Sequence, residues 1–258
     1  MNYSFIGLGM MAEAIIRGMS ASLPGKIFGY DTSPARFEAL SGLVEPCKTA
    51  AEAVSKGDMV VFAVKPNVLG SVLDSLRGAF APEKLLVSIA AGKSTDFIRE
   101  HSGAERIVRV MPNLGATVMA GSAALCPAPG ASEEDVSAVR AVFEAVGSAV
   151  EISEGLIPVF SGVASCSPAF TFEYIDALAL AGVRGGMKYN DALRAAASAV
   201  MGSAKLVLES AEHPSQLRDR VCSPGGTTIE GVSKLKERGF EAAVIAAVEA
   251  TVEKDKRL

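Results

Sequence analysis

Apolar positions follow two different rhythms along this chain. Up to about residue 153 they gather in short β-branched runs, "NYSFIG", "KIFGY", "DMVVFAV", "LLVSIAAG" and "RIVRVMP", separated by stretches with helical spacing. Residues 11–20 and 34–41 are two of those stretches, and "AVFEAVGSAVEIS" reads as a helix leading into an edge strand. Strand and helix taking turns in this way predicts a parallel, doubly wound sheet.

After residue 153 the strand pattern stops. From Gly162 the chain is rich in alanine, leucine and methionine, interrupted at "VRGGMKYND", "AEHPSQ" and "CSPGGTTIEG". The middle of "DALRAAASAVMGSAKLVLES" is apolar or small on nearly every side, the pattern of a helix surrounded by protein. A helical half of about 105 residues can barely surround such a helix alone. The expectation is an intertwined homodimer in which this helix crosses into its partner; the alternative is a monomer that buries it under its own sheet half. The predicted fold class is α/β, an N-terminal Rossmann-like doubly wound parallel sheet over 1–153 plus an all-α C-terminal dimerisation and substrate-binding domain over 154–258.

Composition narrows the partners. There are 25 basic and 29 acidic residues, net −4, and no block of like charge beyond the final "EKDKRL", which argues against nucleic acid or an anionic membrane surface. No apolar run reads as the roughly 20 residues of a membrane span, and "MNYSFIGLGMM" lacks the basic and apolar regions of a signal peptide. The expectation is a soluble, cytoplasmic protein. Cys47, Cys126, Cys166 and Cys222 are widely spaced with no CxxC, so they read as reduced thiols, and no metal site is expected.

Candidate chemistry begins at "FIGLGMMAEAI". Gly7-x-Gly9-x-x-Ala12 follows a predicted strand and opens a predicted helix, with Met10 and Met11 between. Gly7 permits a tight turn, Gly9 leaves room for a pyrophosphate, and Ala12 lets helix and strand pack closely. The next strand ends at Asp31, whose carboxylate suits an adenosine ribose and favours NADH. Thr32, Ser33 and Arg36 suit a 2′-phosphate and favour NADPH. Further loops fall at predicted strand ends: Ala63, Val64, Lys65 and Pro66; Ala90, Ala91 and Gly92; Met111, Pro112 and Asn113. Together they predict the far wall of a dinucleotide groove.

A second anion site is expected at "CSPGGTTIEG". Pro224 stiffens the loop, Gly225 and Gly226 allow successive N–H groups to point outward, and Ser223, Thr227 and Thr228 add hydroxyls where a helix begins. A plain helix cap at Thr227 or Thr228 is the structural alternative. With the cofactor phosphates assigned to Gly7–Ala12, this loop suits a substrate carboxylate. His101 and His213 are the only histidines, with no diagnostic partners, and no nucleophile elbow, Walker loop or HExxH is present. Carbonyl reduction calls for a strong proton donor. An imine nitrogen carries its proton before hydride arrives, so a hydroxyl such as that of Thr228 suffices to hold it.

These motifs, "FIGLGMMAEAI", "AVKP", "SIAAG", "RVMPN" and above all "LRDRVCSPGGTTIEGV", resemble the pyrroline-5-carboxylate reductase family over essentially the whole chain. The resemblance implies reduction of L-1-pyrroline-5-carboxylate to L-proline with NADPH or NADH, on an intertwined helical dimer. It implies that Thr228 holds the ring nitrogen, that Ser223, Gly226 and Thr227 hold the substrate carboxylate, and that Gly7–Ala12, Lys65, Pro66 and the "MPN" loop serve the cofactor. The pattern departs at "GVASCSPAF", where Ala164, Ser165, Cys166 and Ser167 replace a Ser-Gly-Ser-Gly run and Phe170 a common tyrosine. A reductase of another cyclic imino acid therefore stays open. So does a β-hydroxyacid dehydrogenase, which needs a lysine and an asparagine four residues later where this chain has Lys205 and Glu209. A non-catalytic dinucleotide-sensing module is the third alternative.

Overall fold

The computed structural model describes residues 1–255, built as two units, the first on Met1–Ser165 and the second on Cys166–Glu253. In the first, eight strands form one sheet: β1 (Tyr3–Ile6), β2 (Ile27–Tyr30), β3 (Glu45–Pro46), β4 (Met59–Phe62), β5 (Leu85–Ser88), β6 (Ile107–Pro112), β7 (Gly121–Pro127) and β8 (Gly147–Glu151). Their order is β3-β2-β1-β4-β5-β6-β7-β8, parallel throughout except for the antiparallel pair β6 and β7. Helices α1 (Met10–Ser22), α2 (Pro34–Ala39), α3 (Ala50–Lys56), α4 (Pro66–Ser75), α5 (Thr95–Ser102) and α6 (Glu133–Glu144) connect them.

β1, β2, β4 and β5 are apolar at almost every position because both faces are covered. Alternate residues serve alternate faces. Phe5, Val61 and Val87 join a core with Ile15, Ile16 and Met19 of α1 and Val139 and Phe143 of α6. Ile6, Val60, Phe62 and Leu86 join the opposite core with Val54 of α3, Leu69 and Leu73 of α4 and Ile98 of α5. The strand order reverses on either side of β1, so a crevice opens between the C-terminal ends of β1 and β4.

Two elements were not legible as strands. β3 is a two-residue edge strand ending at Pro46, and β7, "GSAALCP", is made largely of small residues. β7 exists by pairing along five residues of β6 and five of β8, a tertiary gain that overrides weak propensity.

Beyond residue 151 the described residues contain no strand. α7 (Ile157–Phe160) leads through a π-helical turn, Ser161–Cys166, into α8 (Ser167–Arg184). α9 (Tyr189–Glu209), α10 (Pro214–Val221), α11 (Thr227–Glu237) and α12 (Phe240–Asp255) follow. One expectation needs correcting here. Glu154–Arg184 is a single helical run long and apolar enough, by length and composition, to cross a membrane. Pro158, the glycine and serines of 161–167 and Pro168 disguise its length as breaks, whereas the π turn carries the helix through them. α9 is left bare by its own chain: only Ala192 and Ala196 are buried, while Met201 is 68% and Leu208 82% exposed.

Candidate active site

The two glycines of the first loop are required for different reasons. Gly7 sits at φ +92°, and a Cβ there would lie 2.7 Å from the Ala63 carbonyl oxygen, so the protein itself excludes a side chain. Gly9 has an ordinary backbone as the N-cap of α1, and nothing lies within 4 Å of where its Cβ would be. Its lack of a side chain leaves room for something outside the chain, beside the unpaired first-turn N–H groups of α1. A dinucleotide pyrophosphate fits that cradle.

Two cavities meet at this loop. The larger, about 570 Å³, extends from Gly7 and Gly9 to Asp31, Thr32 and Arg36. The smaller, about 280 Å³, extends the other way to Met10, Met11, Ala91, Met111 and Pro112. Gly9, Ala63, Val64 and Lys65 line both, so the sequence-predicted loops form one continuous groove along the ends of β1 and β4. Ser33, Pro66, Gly92 and Asn113 line neither cavity, and Ala12 and Ala90 are buried in the two cores. Ala12 acts by close packing; Pro66 is the first residue of α4 and stops β4 from continuing. Sequence reasoning missed Tyr30, Val68 and Val72, which wall the larger cavity. The signal was the four-residue spacing of Val68 and Val72 on α4, one helical face behind the proline.

Asp31 lines the larger cavity and is also bonded into the chain. Its Oδ2 accepts the Leu8 N–H at 2.7 Å and its Oδ1 the Ser33 N–H at 2.8 Å, so it ties the glycine loop to the start of α2. Arg36 and Lys65, both exposed, have no protein partner among the described residues and stand as free cations on the groove. The Asn113 amide bonds to protein atoms at both ends: its oxygen accepts from Gly115 N and Ser122 N, and its nitrogen donates to the Ala164 carbonyl.

A partly buried ionic cluster joins β6 to the start of α5 and to Glu154. Glu154 accepts the N–H and the hydroxyl of Thr95, each at 2.8 Å, and pairs with Arg109 at 2.9 Å. Burial pushes the Glu154 carboxyl up, but the bonds from Arg109 and Thr95 outweigh it and hold it below the usual carboxylate value. His101 lines neither cavity. His101 pairs with Asp74 at 2.8 Å, and His213 caps α10 through Ser215 N, with Gln216 closing the box. Burial pushes the Cys126 thiol up to about 11, which leaves it no nucleophile.

In the second unit the "SPGGTT" loop is a tight turn. Gly226 N donates to Ser223 O at 3.0 Å, and Gly225 sits at φ +67°. The N-cap of α11 is Gly226, with no side-chain cap, so Thr227 and Thr228 lie inside the first turn and neither is the cap. Ser223, Thr227 and Thr228 are exposed, and no hydroxyl among them bonds to a described residue. Three unused hydroxyls stand beside the open N-terminus of an eleven-residue helix, the donor set an anion requires.

Comparison with known proteins agrees with both halves. Residues 154–258 match the family described as pyrroline-5-carboxylate reductase dimerisation, and residues 2–92 match that described as NADP oxidoreductase, coenzyme F420-dependent. The pyrroline-5-carboxylate reductase of Escherichia coli (strain K12) is 43% identical over 260 residues, covering 98% of this chain and 97% of the relative. The structure of a pyrroline-5-carboxylate reductase from Coxiella burnetii superposes with a TM-score of 0.95 at 28% identity, over 99% of this chain and 97% of that one. That of Plasmodium falciparum pyrroline carboxylate reductase with NADP bound superposes with a TM-score of 0.85 at 31% identity, over the same shares.

Proposed function

Since this chain belongs to the pyrroline-5-carboxylate reductase family, we infer from its geometry which residues carry the reaction. The chain reduces L-1-pyrroline-5-carboxylate to L-proline, with hydride from NAD(P)H. A hydride and a proton together convert the ring C=N to CH–NH. When bound, the cofactor supplies the hydride; the chain's own residues position and hold.

Gly7, Gly9 and the first turn of α1 take the pyrophosphate, and the larger cavity takes the adenosine. Arg36, with Thr32 and Ser33 beside it, takes a 2′-phosphate, while Asp31 is occupied on Leu8 and Ser33. The reading therefore favours NADPH over NADH. Met10, Met11, Ala91, Met111 and Pro112 wall the nicotinamide end. Ser223, Gly225, Gly226 and Thr227 hold the substrate carboxylate through N–H and hydroxyl donors, and the Thr228 hydroxyl accepts from the protonated ring nitrogen. The observation that carries this assignment is the free set of hydroxyls at the uncapped start of α11.

Residues 154–258 are a dimerisation domain, and the chain assembles with itself around a small-molecule substrate. We further propose that the assembly is intertwined, with the bare apolar faces of α8 and α9 covered by a second copy. That accounts for the membrane-like composition of Glu154–Arg184 without a membrane. We likewise propose a functional boundary at 153/154 and a location in the cytoplasm. The hydroxyacid dehydrogenase alternative loses its base, because Lys205 forms an exposed i,i+4 pair with Glu209 at 3.6 Å.

The test is oxidation of NADPH and NADH, run in parallel with pyrroline-5-carboxylate. Turnover favouring NADPH is expected. Tight cofactor binding with no turnover would replace the enzyme with a sensing module, and turnover only with other cyclic imines would reassign the substrate.

A further inference from the structure

Pro168 denies one carbonyl of the preceding turn its α-helical donor. In an α-helix the oxygen of Ala164 would accept from residue 168, and proline has no N–H. The backbone widens here into the π turn Ser161–Cys166, and Asn113 Nδ2 donates to the Ala164 oxygen at 2.9 Å. The other end of the same amide accepts from Gly115 N at 3.1 Å and Ser122 N at 3.0 Å. The reverse amide orientation would set an NH2 against two N–H donors, so the three partners define it.

We propose that Asn113 is a positioning residue, clamping the β6–β7 connection to the carbonyl that Pro168 denies its α-helical donor and so holding Met111 and Pro112 at the hydride end of the groove. The connection is stiff enough to transmit the clamp. A Cβ on Gly121 would stand 2.8 Å from Ala116 N, and one on Gly115 would collide with the Ala120 carbonyl. Loss of the amide donor therefore displaces the whole connection, including the two residues that precede it. The proposal rests on the reductase reading of the groove and adds to it a residue that touches neither cofactor nor substrate through its side chain.

Asn113→Asp isolates the bond, since it keeps both acceptor contacts and removes the donor. We expect kcat at saturating NADPH and pyrroline-5-carboxylate to fall about tenfold or more, with the NADPH dissociation constant changed by less than about threefold. Pro168→Ala offers the Ala164 oxygen a helical N–H in place of the amide, so alone it should lower kcat by competing for the tether, and added to Asn113→Asp it should recover thermal midpoint without a further loss of kcat. A kcat within about twofold of the parent, a matching rise in the NADPH dissociation constant, or simple additivity of the two substitutions would each overturn the proposal. If Asn113→Asp does not fold, rescue of folding by Pro168→Ala supports the clamp and failure of both refutes it. A parent enzyme without turnover would instead refute the reductase reading; the same rescue, read in thermal midpoints, would still decide the clamp.

Discussion

Glu154→Ala should destabilise the protein by much more than a surface substitution, because it strands a buried cation. Arg109 projects from β6 with its side chain only 8% exposed, and Glu154 is its sole ion-pair partner among the described residues. Removing one member of a buried pair costs about 3–5 kcal/mol. Glu154 itself is 32% exposed, so water can partly reach Arg109 in the variant, and we expect the lower end, about 3 kcal/mol. For a chain of this size that is a fall of roughly 6–12 °C in the thermal midpoint, measured by scanning calorimetry at fixed protein concentration. Adding Arg109→Met should recover part of the loss, since the unpaired charge goes with it. The pH dependence has a definite sign. The native carboxyl sits below its ordinary value, so its contribution is complete above the unfolded pKa, about 4.3, and disappears as pH falls through the native value. The gap between parent and variant should therefore narrow on acidification. A gap below about 1 kcal/mol at neutral pH, or one that widens in acid, would refute the buried-pair account.

Arg36→Ala should raise the KM for NADPH by about 10-fold to 100-fold and leave that for NADH nearly unchanged, because only a 2′-phosphate engages the free guanidinium; parallel steady-state titrations check it. Thr228→Ala should lower kcat by about 10-fold to 100-fold with the melting temperature nearly unchanged, since Gly226 and not Thr228 caps α11; an equal loss of stability would make the threonine structural. Leu206→Glu on α9, at a site 58% exposed in the single chain, should convert the assembly to monomers by light scattering. Persistence of the oligomer would place the interface elsewhere.

The parallel sheet was legible because strands buried on both faces must be continuously apolar, and "MVVF" and "LLVS" have no other reading in an alternating chain. The cofactor loops were legible for a related reason: glycine and proline restrict or free the backbone locally, so Gly7, Gly9, Pro66 and Pro112 announce their turns without reference to any neighbour. The turn that opens α11 was legible as well, although its cap was not. A row of Gly-Thr-Thr allows three capping registers, and only the folded loop selects Gly226.

Other features depend on atoms far apart in the chain. β7 is a strand because two neighbours offer their edges to it, and its small residues carry no signal of their own. The bonds of Asp31 to Leu8 and Ser33, and of the Asn113 amide to Ala164, likewise have no signal in the sequence. Glu154 and Arg109, 45 residues apart, give no sign in sequence that they meet. Propensity and backbone restriction act within a few residues and are written in order along the chain, whereas hydrogen bonds and ion pairs are satisfied by whichever groups the packed sheet and helices bring within about 3 Å. The first kind of information decided the architecture, the groove and the chemistry it can host; the second decided which side chains remain free to act there and which are spent holding it in shape.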